Sequence, residues 1–210
     1  MTAGKTDVRN NHRAETARLS FGDTVRAIRF IMQSLILGSM GFDFQFRTLG
    51  SQTDLKGLVD FLAKQDLSYP RYDQWVQKTE GELGSGSKTP IIAYSNGHIV
   101  GDLIYQPHKE LPRVRELKNL RIHPEVRRRD FAHFMLRQAE CEGNDAFDLI
   151  VCDARKKEQS VVNLLLFSGY TPIGSKPLYD QHSEDIIFVK TMDGRTESGL
   201  VYKTKGFILG

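Results

Sequence analysis

Apolar and polar residues alternate from Phe42 to Leu49 (FDFQFRTL), a period of two that predicts a β-strand. The next stretch, SQTDLKGLVDFLAKQ, changes period. Leu55, Leu58, Val59 and Leu62 fall on one helical face, behind a cap at Ser51 or Thr53. RYDQWVQKTEGEL predicts a second helix carrying the only tryptophan, Trp75, and GELGSGSK closes it with a flexible loop. In PIIAYSNGHIVGDLIY two apolar runs flank Asn96-Gly97, the pair suited to a type I′ turn because both positions take positive φ. VRELKNLRI (Val114 to Ile122) is a further strand. It leads through Pro124 and three arginines into a helix with Phe131, Phe134, Met135, Gln138 and Ala139 on one face.

FDLIVCDA (Phe147 to Ala154) is almost continuously apolar, the signature of a central strand covered on both sides. EQSVVNLLLFSG predicts a helix ended by Gly169 in the left-handed conformation. Strands from Tyr170 and over Asp185–Lys190 complete the order β-α-α-β-β-β-α-β-α-β-β. A meander of hairpins followed by one helical crossover implies an α/β fold. Its mixed, mostly antiparallel central sheet has about seven strands, with helices on both faces.

Composition narrows the class. Of 210 residues 40% are hydrophobic and 26% charged, as in an ordinary globular domain, and the formal charge is only +3. Two cysteines, Cys141 and Cys152, make no disulfide framework and no metal spacing, and the expected setting is reducing and cytoplasmic. No metal site is expected, since histidines, cysteines and acids form no ligand cluster. IRFIMQSLIL (Ile28 to Leu37), interrupted by Arg29 and Gln33, is read as an amphipathic helix on the domain or on a second subunit rather than a membrane span. The organisation expected is thus an extension over 1–40, flexible and then helical, a domain over 41–191, and a tail over 192–210.

Arg127, Arg128 and Arg129 stand where a strand gives way to a helix. A helix start presents unpaired N–H groups and the positive end of its dipole, and arginines add charge-assisted donors. That combination suits a pyrophosphate. The order of elements, with PEVRRRDFA and the later FSGY, resembles the GNAT N-acetyltransferase superfamily over about Phe42 to Lys190. Its signature is Arg or Gln, two residues, Gly, one residue, then Gly or Ala. Pro124 and Glu125 match the preceding turn, Arg127 the first position and Ala132 the last. The resemblance implies acetyl-coenzyme A as co-substrate, with its diphosphate on Arg127, Arg128, Arg129, Asp130, Phe131 and Ala132. It places the pantetheine arm against Leu120, Arg121 and Ile122, between that strand and the one over Phe147–Ala154.

The chain departs from the pattern in two places. Asp130 replaces the signature glycine, and its expected compensation is to cap the helix. Leu165, four residues before Gly169, occupies the place of the tyrosine that protonates the departing thiolate in many members. Tyr179, in the loop between the last two strands, is the candidate replacement. Glu116, fourteen residues before Asp130, matches the offset of the catalytic glutamate in one branch of the superfamily. A base is needed because thioester aminolysis requires a neutral amine. The competing reading of Glu116 is a charge pair with Arg115 or Lys118; His108 and His123 are the next candidates.

Three functions follow. The first is an acetyl-coenzyme A-dependent N-acetyltransferase in which an amine acceptor attacks directly in a ternary complex. The second is a weak or inactive module of the same fold that binds acyl-coenzyme A, favoured by Asp130 and Leu165. The third is an RNA-facing acetyltransferase, raised by the net charge and the arginine run. Tyr69, Tyr72, Trp75, Tyr179 and His182 mark the expected acceptor side without naming the acceptor.

Overall fold

A computed structural model describes residues 43–64, 69–192 and 198–210, and the elements below belong to those residues. The expected helix at Ile28–Leu37 lies outside them. Strand β1 (Phe44–Arg47) is followed by helices α1 (Gln52–Lys64) and α2 (Tyr72–Gly84). Strands β2 (Thr89–Ser95), β3 (His98–Pro107) and β4 (Val114–Ile122) form the meander. Then come α3 (Phe131–Cys141), β5 (Leu149–Arg155), α4 (Gln159–Phe167), β6 (Thr171–Lys176) and β7 (Asp185–Thr191). Beyond the expected domain boundary the chain forms a further helix, α5 (Ser198–Leu209).

The seven strands make one sheet in the order β1-β2-β3-β4-β5-β7-β6. Every pairing is antiparallel except β4 with β5. The local signals act as their chemistry requires. Ser51 Oγ accepts from the Asp54 amide at 3.2 Å and starts α1. Asn96 and Gly97 take φ of 50° and 79° at the hairpin. Gly169 ends α4 at φ 83°, with the Tyr170 amide closing on Leu165 O at 3.0 Å.

Alternation along the strands sends their side chains into two cores. On one face Leu103, Leu117, Ile150, Cys152 and Phe188 meet Phe131, Met135, Leu136 and Ala139 of α3, and Val162 and Leu165 of α4. On the other face α1 and α2 cover Ile92, Tyr94 and Ile104. Further along that face Val114, Leu149, Val151, Ile187 and Val189 pack with Leu200, Val201, Ile208 and Leu209 of α5. Strand β5 is buried from both sides, as its near-continuous apolar run requires.

Gly101 of β3 decides how closely the meander folds. A Cβ there would stand 2.9 Å from the Arg121 carbonyl oxygen and 2.8 Å from Ile122 Cδ1. The second atom can rotate away, but the first is backbone. Gly101→Ala should therefore push β3 from the end of β4 and destabilise the domain by about 1–3 kcal/mol, the usual cost of overpacking. Chemical denaturation of parent and variant measures it; an unchanged midpoint would show that β4 moves freely at this point.

Candidate active site

Strands β4 and β5 stay together only briefly. Val114, Arg115 and Glu116 pair with Leu149, Ile150 and Val151, and there the pairing stops. Past Glu116, β4 runs on to Ile122 beside β3 alone, while β5 runs on to Arg155 beside β7. In an antiparallel pair alternate residues turn their N–H and C=O groups away from the partner. The backbone of Leu117–Ile122 therefore offers an open edge towards the gap. Within that stretch the β3–β4 register skips from Tyr105–Leu117 to Ile104–Asn119, so Lys118 is an extra, bulged residue with its backbone outside the ladder.

The basic loop closes the far end of this gap. His123 Nδ1 accepts from the Glu125 amide at 3.4 Å and starts a 3₁₀ turn over Pro124–Val126. Arg128 and Asp130 then adopt positive φ, 63° and 59°. Backbone that reverses hand in this way turns successive N–H groups into one concavity that suits an anion. It opens directly onto the start of α3, where Asp130 O accepts from the Phe134 amide at 2.9 Å. Arg127 ties the loop to the strand, its Nε donating to Ile122 O at 3.1 Å. Arg128, Arg129 and Asp130 are exposed, while Phe131 is buried in the core. One expectation is corrected here. Asp130 makes no capping hydrogen bond, because its left-handed backbone carries the carboxylate away from the helix amides. A glycine would adopt this φ without steric cost, and aspartate is among the few other residues that visit it readily.

Among Leu120, Arg121 and Ile122, the outer two pack into the core beneath α3. Arg121 points to the opposite face, where its guanidinium lies 4.6 Å from the Tyr72 ring centre and Nε donates to Asn119 Oδ1 at 2.9 Å. These three residues reach the gap through their backbone. An extended ligand carrying amide groups fits such an edge, and the loop fits a diphosphate. The residues present thus suit coenzyme A.

Glu116 sits at the point of divergence. Its Oε1 accepts from Lys118 Nζ at 2.8 Å and its Oε2 from Gln106 Nε2 at 2.9 Å. Both readings of this residue therefore keep a physical basis: it is half-buried at the head of the gap and also part of a strand charge pair with Lys118. Arg115 takes no part, since it lies 3.8 Å from the Phe147 ring centre on the opposite face. Tyr179 reaches the same region from the β6–β7 loop. Its side chain is partly exposed, but its hydroxyl turns inward and donates to Asp153 Oδ1 at 3.1 Å. Desolvation and the Asp153 charge push this phenol far above its ordinary pKa, so it stays protonated.

Asp153 was hidden in an apolar run. It lies two residues beyond the last β4–β5 pair, on the face shared by Leu149 and Val151. Desolvation raises its carboxyl to about 6, against the Tyr179 hydrogen bond and Lys118, which lower it; Asp185 and Glu116 raise it further. Asp102 of β3 is a second concealed acid, fully buried beside Asn119 and pushed up to about 7 by burial. The signal available in the sequence was an aspartate interrupting each apolar strand, GDLIY and VCDAR. Such a residue needs a partner or a purpose.

Of the expected acceptor-side aromatics, Tyr69 and Tyr179 come together beside Asp153. They pack edge to face at 5.1 Å, and the Arg155 guanidinium lies 3.8 Å from the Tyr69 ring centre. Tyr72 is core, its ring stacked on Trp75 at 5.6 Å and its hydroxyl bonded to Leu62 O at 2.8 Å. Trp75, also on α2, is partly buried against the same core. His182 is exposed. His108 Nδ1 accepts from the Leu111 amide at 3.1 Å, so both candidate histidines stabilise turns. Among the described residues no group of three potential metal ligands occurs, and no helix is long and apolar enough to cross a membrane.

No protein-family model and no curated protein sequence matches the chain. Solved structures do. An acetyltransferase of the GNAT family from Streptococcus pneumoniae superposes with a TM-score of 0.59 at 15% identity, over 71% of this chain and 99% of that one. NAA60 from Arabidopsis thaliana, in complex with a bisubstrate analogue, gives 0.58 at 13% identity, over 72% and 99%. The ribosomal-protein-S18-alanine N-acetyltransferase of Escherichia coli gives 0.56 at 16% identity, over 74% and 99%. At this level of identity the likeness is one of architecture, and the chain has the GNAT acetyltransferase fold.

Proposed function

We propose that the protein is an acetyl-coenzyme A-dependent N-acetyltransferase acting on an amine acceptor in a ternary complex. The observation that carries this reading is the parting of β4 from β5 after Glu116, with the positive-φ loop of Arg128 and Asp130 at the far end of the gap. When bound, acetyl-coenzyme A supplies the activated acyl group. The protein's own residues do the rest. The N–H groups of residues 128–132 and the side chains of Arg128 and Arg129 hold the diphosphate. The backbone of Leu120, Arg121 and Ile122 lines the pantetheine arm. Glu116 takes the first proton of the acceptor ammonium, leaving the neutral amine that attack requires. Tyr179 is the proton donor in place of the tyrosine missing at Leu165.

Leu165 is 3% exposed and packed in the core. It favours a second reading in which the same gap holds an acyl-coenzyme A without turning it over. Thiol release in an amine acceptor screen separates the two, on protein shown by calorimetry to bind acetyl-coenzyme A.

Three outcomes are expected. Arg128→Ala with Arg129→Ala weakens acetyl-coenzyme A binding and leaves the melting temperature of the free protein unchanged; calorimetry showing equal affinity would remove the loop from the site. Asp130→Gly tightens binding, by taking a negative charge and a side chain from the phosphate loop. It costs no helix cap, because none is formed, so thermal unfolding shows no loss of stability. Glu116→Gln lowers turnover by roughly 10²–10⁴-fold at unchanged cofactor affinity. Steady-state rates within a few-fold of the parent would assign Glu116 to the charge pair with Lys118 alone.

A further inference from the structure

Amine acetylation moves two protons off nitrogen. The acceptor arrives as an ammonium and leaves as an amide, while a carbon–nitrogen bond forms and a carbon–sulfur bond breaks. One proton ends in water and one on sulfur. The gap holds two carboxylates, and their surroundings differ. Glu116 is half-buried, keeps part of its side chain open to solvent, and is paired with Lys118 and Gln106. Asp153 stands across the gap on β5, on the same face of the sheet, and its one hydrogen-bond partner among the described residues is the Tyr179 hydroxyl. Tyr179 in turn is held over it by the edge of Tyr69, which Arg155 fixes from beyond. A desolvated acid anchored to a phenol, at the head of a gap built for a thioester, is not explained by packing.

Resting on the acetyl-transfer reading, we propose that Asp153 is a further catalytic residue: it takes the proton that nitrogen sheds as the amide forms, and Tyr179 passes a proton from it to the leaving sulfur. In the resting protein the phenol donates to Asp153 Oδ1. Once Asp153 is protonated that bond reverses. The carboxylic acid donates to the phenol oxygen, and the Tyr179 proton is freed for sulfur. A free phenolate never has to exist, which matters because desolvation and Asp153 make its formation so costly. Glu116 sheds the first proton to water, and the count closes.

The groups facing Asp153 come from three elements: Glu116 and Lys118 on β4, Tyr179 on the β6–β7 loop and Asp185 on β7. Tyr69 lies within their electrostatic reach. Asp153 must be ionised to act, so activity rises as pH rises through its pKa of about 6. The Tyr179 hydrogen bond holds that value down. Removing the hydroxyl must move the titration to higher pH.

The test follows carboxyl carbons by NMR across pH in the protein without ligand, and kcat/KM across pH with an acceptor found by the screen. In the parent, the Asp153 resonance and the acidic limb of the rate titrate together near pH 6. Tyr179→Phe moves both upward and slows turnover. Asp153→Asn abolishes the resonance and lowers kcat roughly 10²–10⁴-fold while acetyl-coenzyme A affinity is kept. Turnover by Asp153→Asn within a few-fold of the parent overturns the proposal alone, as does a loss of cofactor binding in that variant. If Asp153→Asn does not fold, Tyr179→Phe decides: a resonance that moves while the rate limb stays refutes the role. A parent that binds acetyl-coenzyme A but acetylates no amine overturns both this proposal and the transfer reading.

Discussion

Two neighbouring strands that part after three residue pairs set everything else in this structure. A sheet resists such a break, because each unpaired N–H and C=O costs free energy when it is buried. Here β5 keeps all seven of its residues paired with β7 and β4 keeps its ladder with β3. Each strand is thus held from its outer side while the inner side opens. The bulge at Lys118 adds local twist to β4 at the point of divergence. Arg127 reaches back to occupy the last carbonyl, Ile122 O. What stays open is a strand edge in the middle of a sheet, the kind of surface that suits a ligand with backbone-like groups.

The order of elements was legible because it depends on local chemistry. Period-two alternation, the Asn96-Gly97 turn and the Gly169 stop each act within a few residues, and β4 matches its expected bounds of Val114 and Ile122. The gap itself was not legible in the same sense. Nothing in VRELKNLRI or LIVCDAR shows that the two strands separate; that came only from the resemblance. Nor could the alternation of β4 be followed through Lys118, because a bulge shifts the face of every later residue. The Arg121 side chain accordingly lies on the face away from α3, bonded to Asn119, and only its backbone borders the gap. Asp153 was missed for a related reason: one acid in a run of apolar residues barely disturbs the pattern that identifies a buried strand.

Asp130 shows how a departure from a motif can preserve what the motif is for. The loop needs a left-handed residue at that position, and glycine is the common solution because it has no Cβ. Asparagine and aspartate also enter this region, since a short polar side chain can bond locally to the backbone. In this chain Asp130 takes that conformation, at φ 59°, immediately before the first turn of α3. What it adds is a carboxylate beside three arginines. The backbone term and the charge term are thus separable: the left-handed angle is one that glycine would also adopt, and the carboxylate lowers the local potential. The quantity kept is a dihedral angle, whereas a motif spells out only side chains.

Around Tyr69 and Tyr179 the polar groups fix one another. The Arg155 guanidinium is stacked on Tyr69 and paired with Asp180 at 3.3 Å, and Arg121 is stacked on Tyr72. Both arginines are buried, at 5% and 7% exposure, and each keeps one nitrogen without a hydrogen bond in the structure. A lost bond of this kind costs about 1–3 kcal/mol, and stacking on an aromatic face returns up to about 2 kcal/mol. Stacking therefore offsets part of that cost. Its effect is positional: Arg155 holds Tyr69, Tyr69 holds Tyr179, and Tyr179 holds the hydroxyl on Asp153. Dipoles set in advance cost no reorganisation when charge develops beside them. The series of contacts thus fixes one hydroxyl on Asp153 at the head of the gap, which is what the proposed proton transfer requires.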